Sequence, residues 1–474
     1  MPLIKNRVLN ATLWSFLQRS GSLIIGFIAN MVLARLLEPD DFGCLAIIMV
    51  FVAFADILVD SGLTSALIQK KNVTEHDVST VFSVNLCVSL VLFIFIFFAA
   101  PAIGRYLDIP KLAMYLRVES IALLIRAFYC IQLASLRKNL KFKNLATFNI
   151  LSSVISVSVA IVMAALGCGV WSLIAKNHVL HLSLLLMYSR VSKVSYHFAF
   201  FKENFKELFS FGVFVALSTL LESLYSNLTS FFIGKRYSVK DLGYYNQAHS
   251  LEHMPVYSVS VVITQVLFPF MSKMQDDKKR ILNNTRRVLM AATFFTFPLL
   301  VFMFLFAKPL IILIYSAKWI PSVPYFQILC IGGLVNAIIH ISRSVLKSVG
   351  ETKYMFISQT VVTVAGLVGM EYFSHYDIKL LVIWIVCVSW INGLLLSFLA
   401  GRKIGYSLWM MFKDVIINFL FAIIAGFVSY QIGLLITNEI VTALLGALLF
   451  AAIYFLLHFI FKTKQFNTVL TANK

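Results

Sequence analysis

Long apolar runs constrain the fold of this chain more than any other feature. Examples are VSLVLFIFIFFAAPAI (88–103) and LLGALLFAAIYFLLHFIF (444–461), and neither alternates with the period of two that a membrane β-barrel requires. A helix of about 20 apolar residues crosses the roughly 30 Å hydrocarbon core of a bilayer. Only 13% of the residues are charged, about half the share of an average soluble domain. The sequence therefore predicts an all-α polytopic membrane protein.

The number of such runs predicts about fourteen spans of about 20 residues or more. They lie near 10–34, 42–67, 80–104, 114–136, 146–167, 169–189, 208–234, 244–270, 288–315, 323–347, 355–373, 380–400, 414–435 and 441–461. With both termini in the cytoplasm, roughly 26 of the 40 Lys and Arg fall on the cytoplasmic side and roughly 9 on the opposite side. The uneven distribution of the Lys and Arg residues behind the net charge of +19 therefore predicts the membrane orientation, and nucleic acid is not an expected partner.

Two similar turns indicate an internal duplication. ARLLEPDDFG (34–43) and GKRYSVKDLG (234–243) each end an apolar run and close on Asp, an apolar residue and Gly. Three further segment pairs follow in the same order, including FFAAPAI (97–103) with LFAKPLI (305–311). We predict two parallel six-helix lobes, residues 1–205 and 206–410, followed by a helix pair and a cytoplasmic tail in 411–474. The Asp of each turn is expected to be the N-cap of the next helix.

Polar residues recur at helical spacing inside several spans, which predicts a wet cavity in the membrane. Basic side chains there suit phosphate oxygens; they are Arg19, Arg126, Lys176, Arg343 and Lys347. Acidic residues are candidates for ion coupling or charge balance; they are Asp56, Asp60, Glu222 and Glu252. The remaining polar candidates for the cavity are Asn246, His249, His253, Asn336 and His340.

Each of these residues also has a structural explanation. Arg19–Asp56 or Arg126–Glu119 can be plain ion pairs, and the two lysines can extend to the membrane interface. His249 and His253 stand one helical turn apart but lack a third metal ligand at that spacing, so no metal or other cofactor is expected. No catalytic motif is recognisable in the sequence, and an enzyme is not predicted.

Several segments resemble the polysaccharide transporter family of Wzx-type oligosaccharide-lipid flippases, within the multidrug/oligosaccharidyl-lipid/polysaccharide exporter superfamily. They are LARLLEPDDFG, VDSGLTSALIQKK, GVWSL, GYYNQAHSLEHMPV and VLFPFMS. The resemblance runs from about residue 5 to about residue 430, in keeping with two repeats and an added helix pair. Gln247 departs from the basic residue expected after Tyr-Asn in this family.

The resemblance implies movement of an undecaprenyl-diphosphate-linked oligosaccharide from the cytoplasmic to the periplasmic leaflet of a bacterial inner membrane by alternating access. It also implies a monomer in the bilayer, working beside a polymerase and other polysaccharide-assembly proteins. A lipid II flippase or a multidrug cation antiporter of the same superfamily are the alternatives. A polymerase or ligase would need a larger outward loop, and a scaffold would leave the charges within the spans unexplained.

Overall fold

The computed structural model describes residues 2–60, 62–70, 72–139, 141–191, 194–272, 277–436 and 438–466. Side chains are described for these residues except 2–13, 15–17, 60, 211–219, 221–222, 224–226, 257–272 and 352. Within these ranges the regular structure is helical, without a β-strand. The all-α prediction is confirmed.

The chain forms two compact units, Met1–Gly243 and Tyr244–Lys474. The helices of the first unit are α1 (Pro2–Leu36), α2 (Pro39–Asp60), α3 (Leu63–Gln69), α4 (Glu75–Tyr106), α5 (Leu112–Glu119), α6 (Ile121–Lys138), α7 (Phe142–Ala165), α8 (Val170–Val191) and α9 (Lys202–Arg236). In this unit α7 packs between α1 and α8, and α9 packs against α2 and α3. Because of that packing the unit extends past residue 205, and the two duplicated lobes remain a prediction.

The second unit is centred on α13, which packs against α11 and α15. Its helices are α10 (Val239–Ser272), whose first turn belongs to the first unit, α11 (Lys278–Leu305), α12 (Ala307–Ile314), α13 (Val323–Ser348), α14 (Thr352–Phe373), α15 (Ile378–Ile404), α16 (Leu408–Gly433) and α17 (Glu439–Ile460). A short 3₁₀ turn, Ala317–Ser322, precedes α13.

Twelve stretches of helix within the described residues are long and apolar enough to cross a membrane. The chain is therefore a membrane protein. The seventh and eighth predicted spans coincide with α9 and α10, helices of 35 and 34 residues. The total of fourteen spans stays a prediction.

The two repeated turns meet each other in the first unit. A Cβ atom added to Gly43 would overlap the carbonyl group of Val239, and one added to Gly243 would overlap the carbonyl group of Pro39. The Cβ added to Gly243 would also lie 3.3 Å from the backbone nitrogen of Gly43. The first turns of α2 and α10 thus touch through backbone atoms, which only glycine permits.

The N-cap prediction for Asp41 and Asp241 is wrong by three positions. Each Asp lies in the first turn of its helix and accepts a hydrogen bond from the backbone N–H three residues earlier, Glu38 at 3.0 Å and Ser238 at 3.4 Å. Ser238 accepts in return from the Asp241 N–H at 3.0 Å, which completes a capping box. In the Asp–X–Gly pattern the Asp is therefore the third residue of the helix.

The segment that follows α8 lies along α4. Hydroxyl oxygens of Ser79, Thr80 and Ser83 accept hydrogen bonds from the backbone N–H groups of residues 197, 201 and 199 at 3.1, 3.2 and 2.9 Å. Each hydroxyl satisfies an amide that no helix or strand uses. The connection into α9 is thereby fixed to the first unit.

Candidate functional site

The predicted ion pairs of the first unit have different partners in the structure. Arg126 of α6 pairs with Asp56 of α2. It does not pair with Glu119, the residue on the same face of its predicted span. Glu119 accepts instead from the side-chain amide of Asn177 on α8. Arg19 forms no ion pair or hydrogen bond among the described residues, so the Arg19–Asp56 pairing is also wrong. Arg126 and Glu119 thus each bind a residue of a neighbouring helix and not each other.

Glu119 is the centre of a buried polar network that the site prediction missed. Its side chain has 0% exposure, and its Oε2 has no hydrogen-bond partner among the described atoms. The Nδ1 atom of His178 lies 3.6 Å from this oxygen. One turn further along α8, His181 contacts the Tyr129 hydroxyl at 2.8 Å.

Two basic side chains of the first unit remain unpaired within the described structure. Arg19 is exposed on α1, and Lys176 is half-buried on α8 beside Asn177. The charge of Arg126, by contrast, is already balanced by Asp56. Arg19 and Lys176 stand on α1 and α8, which both pack against α7.

In the second unit α10 carries a ladder of three stacked rings. The centroids of Tyr245 and His249 are 6.0 Å apart, and those of His249 and His253 are 5.5 Å apart. Both histidines are exposed, as a cavity-lining face requires. Asn246 on the same helix is half-buried.

The α13 face lies close to this ladder. His340 is within electrostatic range of His253, Arg343 and Lys347. Arg343 donates to the Gln359 side-chain oxygen on α14 at 2.7 Å, whereas Lys347 is exposed and has no partner within the described residues. Asn336, half-buried, begins this face. The structure thus places the predicted polar residues of α10 and α13 within one unit.

Glu252 does not share this polar face. It is 3% exposed, and its Oε1 has no hydrogen-bond partner among the described atoms. A Cβ on Gly333 would overlap that oxygen, and Leu300 packs beside it. Gln247, at the position where the family has a basic residue, is also buried. The side chains of Asp60 and Glu222 lie outside the described residues.

An apolar groove runs through the second unit. A cavity of about 390 Å³ between α11, α13 and α16 adjoins one of about 360 Å³ that also reaches α15. Both cavities are lined by Ile331, Leu334 and Phe419. Cavities of this size fall within the range of small-molecule sites, and this lining suits a hydrocarbon chain.

A family profile described as "Polysaccharide biosynthesis protein" matches residues 32–324, more than half of the chain. The chain belongs to this polysaccharide biosynthesis protein family. The predicted resemblance to polysaccharide transporters is thereby confirmed. The five segments on which it rested, from LARLLEPDDFG to VLFPFMS, all fall inside the matched residues.

Relatives of this family member cover nearly its whole length. The teichuronic acid biosynthesis protein TuaB of Bacillus subtilis (strain 168) is 25% identical over 92% of this chain and 90% of its own. The succinoglycan biosynthesis transport protein ExoT of Rhizobium meliloti (strain 1021) is 24% identical over 93% of this chain and 90% of its own. The solved structure of the lipid II flippase MurJ, in an inward closed conformation, has a TM-score of 0.77 at 18% identity, over 95% of this chain and all of that one. The polysaccharide biosynthesis protein described here therefore has the MurJ fold.

Proposed function

We propose that this protein is a flippase. It moves a polyprenyl-diphosphate-linked oligosaccharide, a repeat unit of lipopolysaccharide, capsule or exopolysaccharide, from the cytoplasmic to the periplasmic leaflet of a bacterial inner membrane, with both termini cytoplasmic. The observation that carries the proposal is the combination, within the second unit, of a polar face that bears Arg343 and the exposed Lys347 with the apolar groove. A lipid with a charged, hydrated head and a long hydrocarbon tail needs both.

The diphosphate is assigned to the basic residues. Lys347, Lys176 and Arg19 have no acidic partner among the described residues, and Arg343 donates to the neutral side-chain amide of Gln359. Arg126 contributes less, because Asp56 already offsets its charge. Asn246, His249, His253, Asn336 and His340 would line the path of the glycan. Glu252, Asp60 and Glu222 stay candidates for ion coupling.

The polyprenyl tail is assigned to the apolar groove. In alternating access the head crosses through the polar region while the tail stays in lipid or in the groove. The protein would act as a monomer, beside a polymerase and other assembly proteins. TuaB and ExoT, both named for polysaccharide biosynthesis, support this substrate class.

The proposal is tested first at the diphosphate site. In a strain that lacks its own polysaccharide flippase, Arg343→Ala and Arg19→Ala should each lower surface polysaccharide by at least about tenfold, because a charge-assisted hydrogen bond is worth about 1.5–3 kcal/mol. Arg402→Ala is the matched control, since Arg402 lies at the end of α15 and its guanidinium packs over Phe398. It should complement normally.

Full complementation by both variants, at normal protein levels, would remove these arginines from the site. If the unmodified protein instead rescues a strain depleted of its lipid II flippase, the substrate class is wrong. If it only raises resistance to cationic drugs, the multidrug antiporter alternative is correct.

The groove gives a separate prediction. Leu334→Trp places an indole where the two cavities join, and it should reduce transport at least about tenfold by excluding the tail. Leu448→Trp on α17 is the control, because Leu448 is 69% exposed and lines neither cavity. Transport is measured as appearance of the oligosaccharide on the outer leaflet. Normal transport by Leu334→Trp would show that the tail does not use the groove.

A further inference from the structure

The Glu119 network has the geometry of a proton-binding pair. His178 lies on α8 and contacts two backbone carbonyls: its Nδ1 is 3.0 Å from the Ile174 oxygen and its Nε2 is 3.1 Å from the Val118 oxygen. A carbonyl oxygen can only accept a hydrogen bond. For both contacts to be hydrogen bonds, both ring nitrogens must donate, which requires a ring with two protons and a positive charge.

The Glu119 carboxylate can supply the negative charge that balances this imidazolium. The Glu119 Oε2 lacks a hydrogen-bond partner among the described atoms and lies 3.6 Å from His178 Nδ1, while Oε1 is held by Asn177. Glu119 has no exposure, so an isolated carboxylate would be costly at this place. The second proton of His178 removes that cost.

The pair also links two helices of the first unit. Glu119 ends α5 and Ile121 begins α6, and Ser120 between them keeps helical angles, φ −62° and ψ −18°. The Ser120 hydroxyl donates to the Arg117 carbonyl at 2.8 Å. His178 of α8 reaches this point of the chain through the Val118 carbonyl.

We propose that Glu119 and His178 form a proton-binding site in the first unit. The bound proton holds α8 to the end of α5 through the His178–Val118 hydrogen bond. When the proton leaves for water, one imidazole N–H bond breaks, the ring becomes neutral, and it can keep only one of its two carbonyl bonds. The carboxylate left behind then needs water, so proton release requires the site to open. Coupling of this step to lipid movement rests on the proposed function, whereas the protonation itself does not.

Other charged groups surround the pair from three helices. Asp56 of α2 acts on Glu119 electrostatically, but Arg126 of α6 neutralises it. On α8 itself His181 is within range of both Arg126 and His178, and Lys176 adds a positive charge. Tyr129 of α6 is engaged with His181, and α5 contributes Tyr115, which packs edge-on to Trp171. A membrane-embedded segment of α7, 144–165, has no titratable side chain.

The occupant is a proton rather than a sodium ion. Sodium needs several oxygen ligands, but the Asn177 amide presents its nitrogen to Glu119 and the Ser120 hydroxyl donates to the Arg117 carbonyl. An imidazolium 3.6 Å from the free carboxylate oxygen would also repel a metal cation.

The test reads the proton directly. The protein is labelled with ¹⁵N-histidine and placed in lipid nanodiscs, and the resonance of His178 is identified among the nine histidines as the one that His178→Gln removes. We expect His178 to show two protonated ring nitrogens at neutral pH. In Glu119→Gln the same resonance should become that of a neutral ring, whereas Glu119→Asp, which keeps the carboxylate, should retain the imidazolium.

The matched control is Glu371–His375, a pair on the surface with a distance of 3.5 Å and both side chains more than half exposed. Glu371→Gln should leave the His178 signal unchanged. A neutral His178 over the whole range of about pH 5 to 8, or an imidazolium that survives Glu119→Gln, would overturn the proposal. So would a His178 signal that moves when choline is replaced by sodium at constant pH. Should the wild type fail to complement a flippase-deficient strain, the proposed function falls while the proton site stands.

Discussion

Gly43→Ala is expected to prevent the protein from accumulating in the membrane. The added methyl group would overlap the Val239 carbonyl, which is backbone of the first turn of α10 and cannot rotate away as a side chain can. Overpacking a well-packed contact typically costs about 1–3 kcal/mol, and a clash with backbone lies at or above the upper end. Gly243→Ala should have the same effect through Pro39. Abundance and thermal unfolding of the detergent-purified protein measure both.

Gly26→Ala is the matched control for this prediction. Gly26 also lies within a helix, α1, but an added Cβ would meet no atom within 4 Å. Alanine there should stabilise the helix by up to about 1 kcal/mol. If Gly43→Ala and Gly26→Ala unfold at the same temperature, the close approach of the two turns is not present in the folded protein. Because both glycines share one contact, the double variant Gly43→Ala/Gly243→Ala should be less destabilised than the sum of the two single changes.

Arg286→Met is expected to be the second most damaging change. Arg286 of α11 donates to both carboxylate oxygens of Asp414 on α16 at 2.7 Å, and the Tyr406 hydroxyl donates to the same carboxylate at 2.6 Å. Asp414 is 6% exposed. Removing one partner of a buried ion pair costs about 3–5 kcal/mol. Because Arg286 is itself 38% exposed and Tyr406 still donates to Asp414, we expect the lower end of that range. We expect α16 and α17 to loosen from the second unit, measured as faster proteolysis and a lower unfolding temperature.

Replacing all three polar side chains by apolar ones tests whether the uncompensated charge of Asp414 causes the loss of stability. Arg286→Met/Asp414→Leu/Tyr406→Phe leaves no charge or hydroxyl without a partner, and it should recover most of the lost stability. Lys308→Met is the comparison for a more exposed pair. Lys308 is 54% and Glu439 32% exposed, and such a pair is worth about 1 kcal/mol or less. A triple variant as unstable as Arg286→Met would mean that packing, and not charge, is what Arg286 supplies.

The length of the apolar runs predicted the helices well, because each span must satisfy its own backbone and present an apolar surface to lipid. The positions of α4, α7 and α15 follow from that alone. Partners between helices could not be read in this way. Glu119 and Arg126 stand on one face of their span, yet each is bound by a different neighbouring helix.

In the candidate site, too, the sequence predicted which residues share a helix face but not what each face packs against. The stripes on α10 and α13 predicted a polar region, and His340 does lie near His253, Arg343 and Lys347. Glu252, one residue before His253, points instead into apolar surroundings beside Gly333. A single helical residue turns the side chain by about 100°, and only the packing of the neighbouring helices decides which direction faces water. For the same reason the apolar groove had no signature in the sequence.

The contact of the two glycine turns is isologous: each glycine meets the carbonyl group four residues before the other. Such reciprocity is the pattern of a homodimer, in which one surface serves both partners. Under the predicted duplication, Phe42 and Pro39 correspond to Leu242 and Val239, so other positions of the two turns differ. The two glycines are not free to differ, because each is held by the backbone of the other turn. A change at either glycine must therefore be tolerated by both turns.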